Sequence, residues 1–194
     1  MILFEKHFES RDWKIEHIRP YICAMRQGID HPIILLLGSN LGESLTILER
    51  AIVLISDRIG EVTDRSKLYE SEPWGFDSSD VFLNQAIVIR SNLGPRRILA
   101  AIWQIEKELG RERHGTEMTS RTIDIDILTW GKRFFWTRTL QVPHIQIQFR
   151  RFALLPLCDL VGDMKHPVLG ITFNQLLDEC PDSCWARPLM SANV

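Results

Sequence analysis

The stretch "SRTIDIDILTW" at residues 120–130 limits what this chain can fold into more than any other segment. Ile123, Ile125 and Ile127 alternate with Asp124 and Asp126, directly after Arg121. Apolar residues at a period of two specify a strand, whose successive side chains point to opposite faces. The isoleucines then line one face and require a core, while the two aspartates project together from the other, roughly 7 Å apart. Aspartate is depleted in strands and like charges repel, so this arrangement calls for something cationic beside the carboxylates.

The rest of the pattern supplies partners for that strand. "PIILLLGSN" holds an apolar run from Ile33 to Leu37 that stops at Gly38 and reads as a buried strand. Leu45, Leu48, Ile52, Ile55 and Ile59 follow at steps of 3 and 4 up to Gly60, predicting an amphipathic helix. "EVTDRSKLYE" and "VFLNQAIVIR" read as two strands separated by the turn-rich "SEPWGFDSSD". A second helix opens at Pro95, carries Ile98, Ile102, Ile105 and Leu109 on one stripe, and ends at Gly110. The order predicts an α+β fold with a ferredoxin-like βαββαβ core. Its antiparallel sheet bears two helices on one face and leaves the other for a ligand or further elements. Beyond Gly131 a hairpin at about 132–142 and one or two short helices are expected. Residues 1–30 read as an N-terminal extension, dispensable up to Met25 as an alternative first residue, and 31–194 as a single domain.

Composition narrows the function classes. A chain of 194 residues with a net charge of −2 and a pI near 6.3 offers no general attraction for nucleic acid or an anionic membrane. It has no run approaching the ~20 apolar residues of a membrane span, and Glu5, Glu9, Asp12 and Glu16 speak against a targeting leader. The expected setting is cytoplasmic, as a monomer or weak homo-oligomer acting on small molecules. The four cysteines are scattered and read as reduced thiols, and "CPDSC" at 180–184 lacks the second ligand pair that structural zinc needs.

Candidate chemistry gathers in a few places. Phe82 and Asn84 share a strand face. Taken alone they read first as a core aromatic beside a turn-bonding amide, although an aromatic plane and a bidentate amide also suit a flat heterocycle. Arg111, Arg113, His114 and Arg121 concentrate cations next to Asp124 and Asp126, the inventory for a polyphosphate held by arginines and divalent metal. His144, Arg150 and Arg151 lie further on. "GSNLG" lacks the phosphate-loop pattern and reads as a strand-to-helix turn fixed by Ser39 or Asn40.

The blocks "GSNLG", "LYESEPWGF", "FLNQAIVI", "IEKELGRER", "SRTIDIDIL" and "VPH" with "RRFALLPL" keep order and spacing from about Ile33 to Leu157. Together they resemble the 6-hydroxymethyl-7,8-dihydropterin pyrophosphokinases of the folate pathway, whose signature is similar to "RTIDIDIL". The resemblance implies transfer of the β,γ-diphosphate of ATP to the pterin hydroxymethyl oxygen, with AMP leaving. It implies two magnesium ions on Asp124 and Asp126, with ATP as co-substrate, and Arg111, Arg113 and Arg121 on the phosphates. His144, Arg150, Glu106 and Ile127 fall on the nucleotide side; Ser71, Glu72, Trp74, Phe82, Asn84 and Phe152 fall on the pterin side. The chain departs from the family at Met118, at Thr119-Ser120 and at Ile145.

Two other classes use parts of this inventory. A two-metal nuclease would need the aspartates but also a basic stripe, and a non-enzymatic ligand-binding module has no use for the Asp and Arg set. Replacing either aspartate is expected to abolish turnover while leaving stability unchanged or higher, because repulsion is relieved.

Overall fold

The computed structural model describes residues 31–75, 80–111 and 120–189. Its chain order is β1 (Ile33–Ser39), α1 (Ser44–Arg58), β2 (Glu61–Arg65), β3 (Tyr69–Ser71), β4 (Phe82–Arg90), α2 (Pro95–Glu108) and β5 (Asp124–Trp130). After these come β6 (Phe135–Trp136), β7 (Gln141–Val142), α3 (Arg151–Val161), α4 (Phe173–Asp178) and β8 (Ala186–Pro188). The main sheet runs β5-β1-β4-β3-β8, with β2 also pairing β4, and the pairs are antiparallel. The centre of this sheet is the βαββαβ order expected from the sequence.

One predicted strand is broken. "EVTDRSKLYE" forms both β2 and β3, which pair with opposite ends of the same edge of β4. At the break Ser66 stays attached: its N–H donates to the Ala86 carbonyl, and its Oγ accepts from the Ala86 N–H at 3.0 Å.

Strand alternation sorts the core into two layers. Ile33, Leu35, Leu37, Ile87, Ile89, Ile125 and Ile127 face α1 and α2, which contribute Leu48, Ile52, Ile55, Ile98, Ile102 and Ile105. Leu45, expected on this stripe, is instead exposed at the first turn of α1, where the helix has not yet reached the sheet. Leu109 is buried and Gly110 takes a positive φ of 86°, so α2 stops where the sequence indicates.

The opposite face presents three parallel rows: Ile34, Leu36 and Gly38; Val88, Ala86, Asn84 and Phe82; Leu128, Asp126 and Asp124. Each row is apolar at one end and polar or open at the other. Helices α3 and α4 cover the apolar end with Ala153, Leu154, Leu157, Phe173 and Leu176. The C-terminal helices therefore occupy half of the face that the sequence leaves free, and the other half is a recess. Among the described residues no helix is long and apolar enough to cross a membrane.

Candidate active site

At the recess, Gly38 stands opposite Asn84 on one side and Asp124 on the other. A Cβ at position 38 would lie 3.2 Å from Asn84 Oδ1 and 4.0 Å from the Phe82 ring. The missing side chain opens the floor on which those groups lie. Asn84 is buried, and its Nδ2 donates to Ser71 Oγ at 3.0 Å. One arm of the amide is thus committed to the neighbouring strand, and the carbonyl oxygen is left over Gly38. Trp74, Phe82 and Phe152 line the same cavity, as do Ser71 and Glu72. Glu72 is pinned from the chain's far end: its Oε1 accepts from the Trp185 N–H at 2.8 Å, and its N–H donates to the Trp185 carbonyl.

A second cavity wraps the outer edge of β5, between α2 and the β6–β7 hairpin, and its lining includes Trp103, Glu106, Arg111, Ile127, His144 and Ile145. Asp124 and Asp126 belong to the linings of both cavities. Every residue singled out from the sequence on the nucleotide and pterin sides lines one cavity or the other, except Arg113, which lies outside the described residues together with Met118 and Thr119.

The two aspartates sit in different electrostatic settings. Asp124 accepts hydrogen bonds from Arg111 and Arg121, one on each carboxylate oxygen. Burial alone would raise its pKa, but the two guanidinium groups outweigh that and hold it below the usual carboxylate range. Arg111 in turn donates to Glu106, whose Oε1 also accepts the Ile125 N–H at 3.0 Å, so α2 and β5 together aim this arginine. Among the described residues Asp126 has no such clamp. Arg150 Nη1 and His144 Nε2 stand 3.8 and 3.9 Å from its Oδ2, beyond hydrogen-bonding distance. Burial and the neighbouring Asp124 push its pKa upward, with His144 and Arg150 opposing them only in part. His144 is itself held below its ordinary pKa by burial, and its backbone N–H is fixed by the Leu128 carbonyl at 2.8 Å.

Asn40 has a role that reading "GSNLG" as a turn misses. Its Oδ1 accepts from the Arg121 N–H at 2.8 Å, its Nδ2 donates to Ser120 Oγ at 2.9 Å, and its own N–H donates to the Arg121 carbonyl at 3.2 Å. This clamp across 81 residues fixes the backbone from which Arg121 reaches Asp124. An amide directly after a buried strand was the available signal, but its partner lies too far along the chain to be inferred from spacing.

The oxygens present suit a hard divalent cation. Magnesium commonly takes one or two protein carboxylates and completes its shell with substrate phosphates and water. Among the described residues no group of three or more His, Cys, Asp or Glu side chains is arranged to hold a metal ion by itself, and the two aspartates match that sparse type of site. The raised pKa of Asp126 marks a carboxylate short of positive charge, which a cation would relieve.

Comparison with known proteins gives a consistent result. Residues 34–162 match the family of 7,8-dihydro-6-hydroxymethylpterin-pyrophosphokinases. The chain is 40% identical over 140 residues to the 2-amino-4-hydroxy-6-hydroxymethyldihydropteridine pyrophosphokinase of Porphyromonas gingivalis, covering 70% of this chain and 93% of that one. It is 34% identical over 162 residues to the folic acid synthesis protein fol1 of Pneumocystis carinii, covering 84% of this chain and 22% of the fungal protein. In three dimensions it superposes on wild-type Plasmodium falciparum HPPK-DHPS with SDX-DHP at a TM-score of 0.62 and 19% identity, covering 77% of this chain and 43% of that one. The chain thus spans about a fifth of the fungal protein and under half of the Plasmodium protein, and nearly all of the shorter bacterial one.

Proposed function

The chain belongs to the 7,8-dihydro-6-hydroxymethylpterin-pyrophosphokinase family, and from that premise we infer that it is a diphosphokinase of folate biosynthesis. It moves the β,γ-diphosphate of ATP to the hydroxymethyl group of 6-hydroxymethyl-7,8-dihydropterin and releases AMP. The observation that supports this reading best is that two cavities of different chemistry meet at Asp124 and Asp126.

The cavity over Gly38 takes the pterin. Phe82 and Phe152 supply aromatic planes for a flat ring, and the Asn84 carbonyl oxygen reads a ring N–H, since Ser71 already holds its Nδ2. The cavity at the edge of β5 takes the nucleotide, so the triphosphate lies across the two aspartates. Attack at the β-phosphorus brings an oxygen nucleophile against three charged phosphates. Arg111 and Arg121 stand there preorganised, one aimed by Glu106 and the other by Asn40, and planar guanidinium forks suit non-bridging oxygens. His144 from the nucleotide cavity and Arg150 from the cavity over Gly38 both approach Asp126 Oδ2. Asp124 and Asp126 would hold magnesium, two ions on this reading, and bound metal supplies neutralisation of the phosphate charge and an acidified alcohol. No covalent enzyme intermediate is required.

The test is the nucleotide product. Incubating the protein with ATP, magnesium and the reduced pterin should release AMP in a 1:1 ratio with diphosphorylated pterin. ADP as the primary product on chromatography would overturn the assignment, because ordinary kinase chemistry breaks the β–γ bond instead.

A further inference from the structure

Arg150 lines the cavity over Gly38 and faces Asp126, which both cavities share, and its surroundings are unusual. The guanidinium carbon lies 4.6 Å from the centroid of the Trp74 ring and 5.8 Å from that of Phe152. One of its terminal nitrogens donates to Gln146, and the other faces Asp126 at 3.8 Å. Its Nε is buried and, among the described residues, has no hydrogen-bond partner. An arginine deprived of part of its hydration needs compensation, and an aromatic face supplies it without competing for the donors. Trp74 does this from the segment after β3, on the pterin side, while the charge it steadies points to the carboxylate on the phosphate side.

We propose that Trp74 is a positioning residue for Arg150: its indole holds the guanidinium toward Asp126 and the triphosphate, so a residue lining the pterin cavity acts on the nucleotide. The inference rests on the functional reading above and goes beyond it, since that reading gives Trp74 only a place in the pterin pocket. Arg150 enters the site from the extended residue that precedes α3, tied to Gln146 four residues back. Its direction is therefore set by Gln146, the aromatic rings and Asp126. Removing the larger and nearer ring leaves the cation to seek water or slide toward the space over Gly38.

A double-mutant cycle on the full chain tests this. Affinity for a non-hydrolysable ATP analogue with magnesium is measured by calorimetry for wild type, Trp74→Leu, Trp74→Phe, Arg150→Gln and the Trp74→Leu/Arg150→Gln pair. Trp74→Leu should weaken the analogue about tenfold, as expected for loss of a desolvated cation–π contact. Trp74→Phe should restore it to within about threefold, since phenylalanine keeps a π face. On the Arg150→Gln background, Trp74→Leu should cost nothing further. Equal losses on both backgrounds, a phenylalanine variant no better than leucine, or a Trp74→Leu protein with unchanged analogue affinity would each overturn the role assigned to Trp74. In those cases the wild type still binds the analogue and the functional reading stands. A wild type that binds no analogue overturns both.

Discussion

The second face of the sheet is two regions built on one set of strands. At one end Ile34, Leu36, Ala86 and Leu128 are sealed by Leu154, Leu157 and Phe173. At the other, two to four residues along the same rows, Gly38, Asn84, Asp124 and Asp126 remain open to two cavities. Backbone pairing continues through both ends, so hydrogen bonding of the sheet does not distinguish them. The difference lies in what stands on the strands: the sealed end gains apolar burial, whereas the open end keeps two neighbouring carboxylates and a cavity whose use comes with a ligand.

The largest way to break this contrast is at the open end. Asp126→Ala should lower turnover by at least about three orders of magnitude, corresponding to roughly 4 kcal/mol of lost transition-state stabilisation. Stability of the same variant should rise or stay level, because a carboxylate with a raised pKa and, among the described residues, no hydrogen-bonded clamp is removed. Asp124→Ala should be equally inactive but less stable, by about 1–3 kcal/mol, because it strands Arg111 and Arg121 beside each other. The sequence alone predicts the same benign effect on stability for both aspartates; the arginine clamp separates them. Denaturant midpoints of the two variants check this, and matching midpoints would show that the clamp adds nothing.

At the sealed end the contrast should reverse. Leu154 is fully buried under Ile34 and Leu36, so Leu154→Ala should cost about 2–5 kcal/mol of stability. Turnover per folded molecule, measured well below the melting temperature, should stay within about twofold of wild type. A large loss of turnover in a folded Leu154→Ala protein would mean that the sealed end sets the geometry of the open one.

Two of the histidines, His144 and His166, sharpen the comparison further. His144 borders the open end and meets Asp126, whereas His166 is buried edge-on to Phe173, its Nδ1 accepting the Val168 and Leu169 N–H groups at 3.3 and 3.1 Å. Burial pushes the His166 pKa down to about 4. The unfolded chain takes up this proton near pH 6.5 and the folded chain does not, so His166 supports stability above that pH and withdraws it as the pH falls from 6.5 toward 4. The loss over that window is on the order of 3 kcal/mol. His166→Asn keeps an acceptor for the two N–H groups and should flatten this slope in urea melts at pH 7 and pH 4.5; an unchanged slope would place the acid sensitivity elsewhere.

What the sequence reveals of this division follows from periodicity. The period of two in "TIDIDIL" places the isoleucines in the core and the aspartates on the far face, and the steps of 3 and 4 place both long helices. Pairing across the chain is not periodic and stays hidden. Asn40 finds Ser120 and Arg121 only when β1 lies beside β5, and Glu72 finds Trp185 only when the three-residue β8 joins β3. "ARP" has neither the length nor the alternation to announce a strand. Candidate site residues with unusual chemistry are thus legible, while long-range partners such as Asn40 and Trp185 that hold them in place are not.

Gly38 is one such hidden residue, and it carries the smallest and most local prediction. Its hydrogen has no packing role visible in the sequence, and as the end of an apolar run it reads as simple punctuation. The register instead sets it between Asn84 and Asp124, with extended backbone that any residue can adopt. Gly38→Ala therefore imposes no left-handed strain. The added methyl meets Asn84 Oδ1 at 3.2 Å, tighter than ordinary contact, while the Phe82 ring at 4.0 Å is comfortable. Asn84 cannot retreat without giving up its bond to Ser71, so the methyl raises the pterin floor and disturbs the one amide oxygen facing it. Pterin affinity should fall about tenfold, in line with the ~1–3 kcal/mol expected when a buried polar contact is spoiled. Affinity for the ATP analogue should stay within about twofold, because the nucleotide cavity does not include position 38. Calorimetry with each ligand separately decides the matter. Equal losses for both would mean that the two cavities behave as one site, and that the aspartates are not the boundary between them.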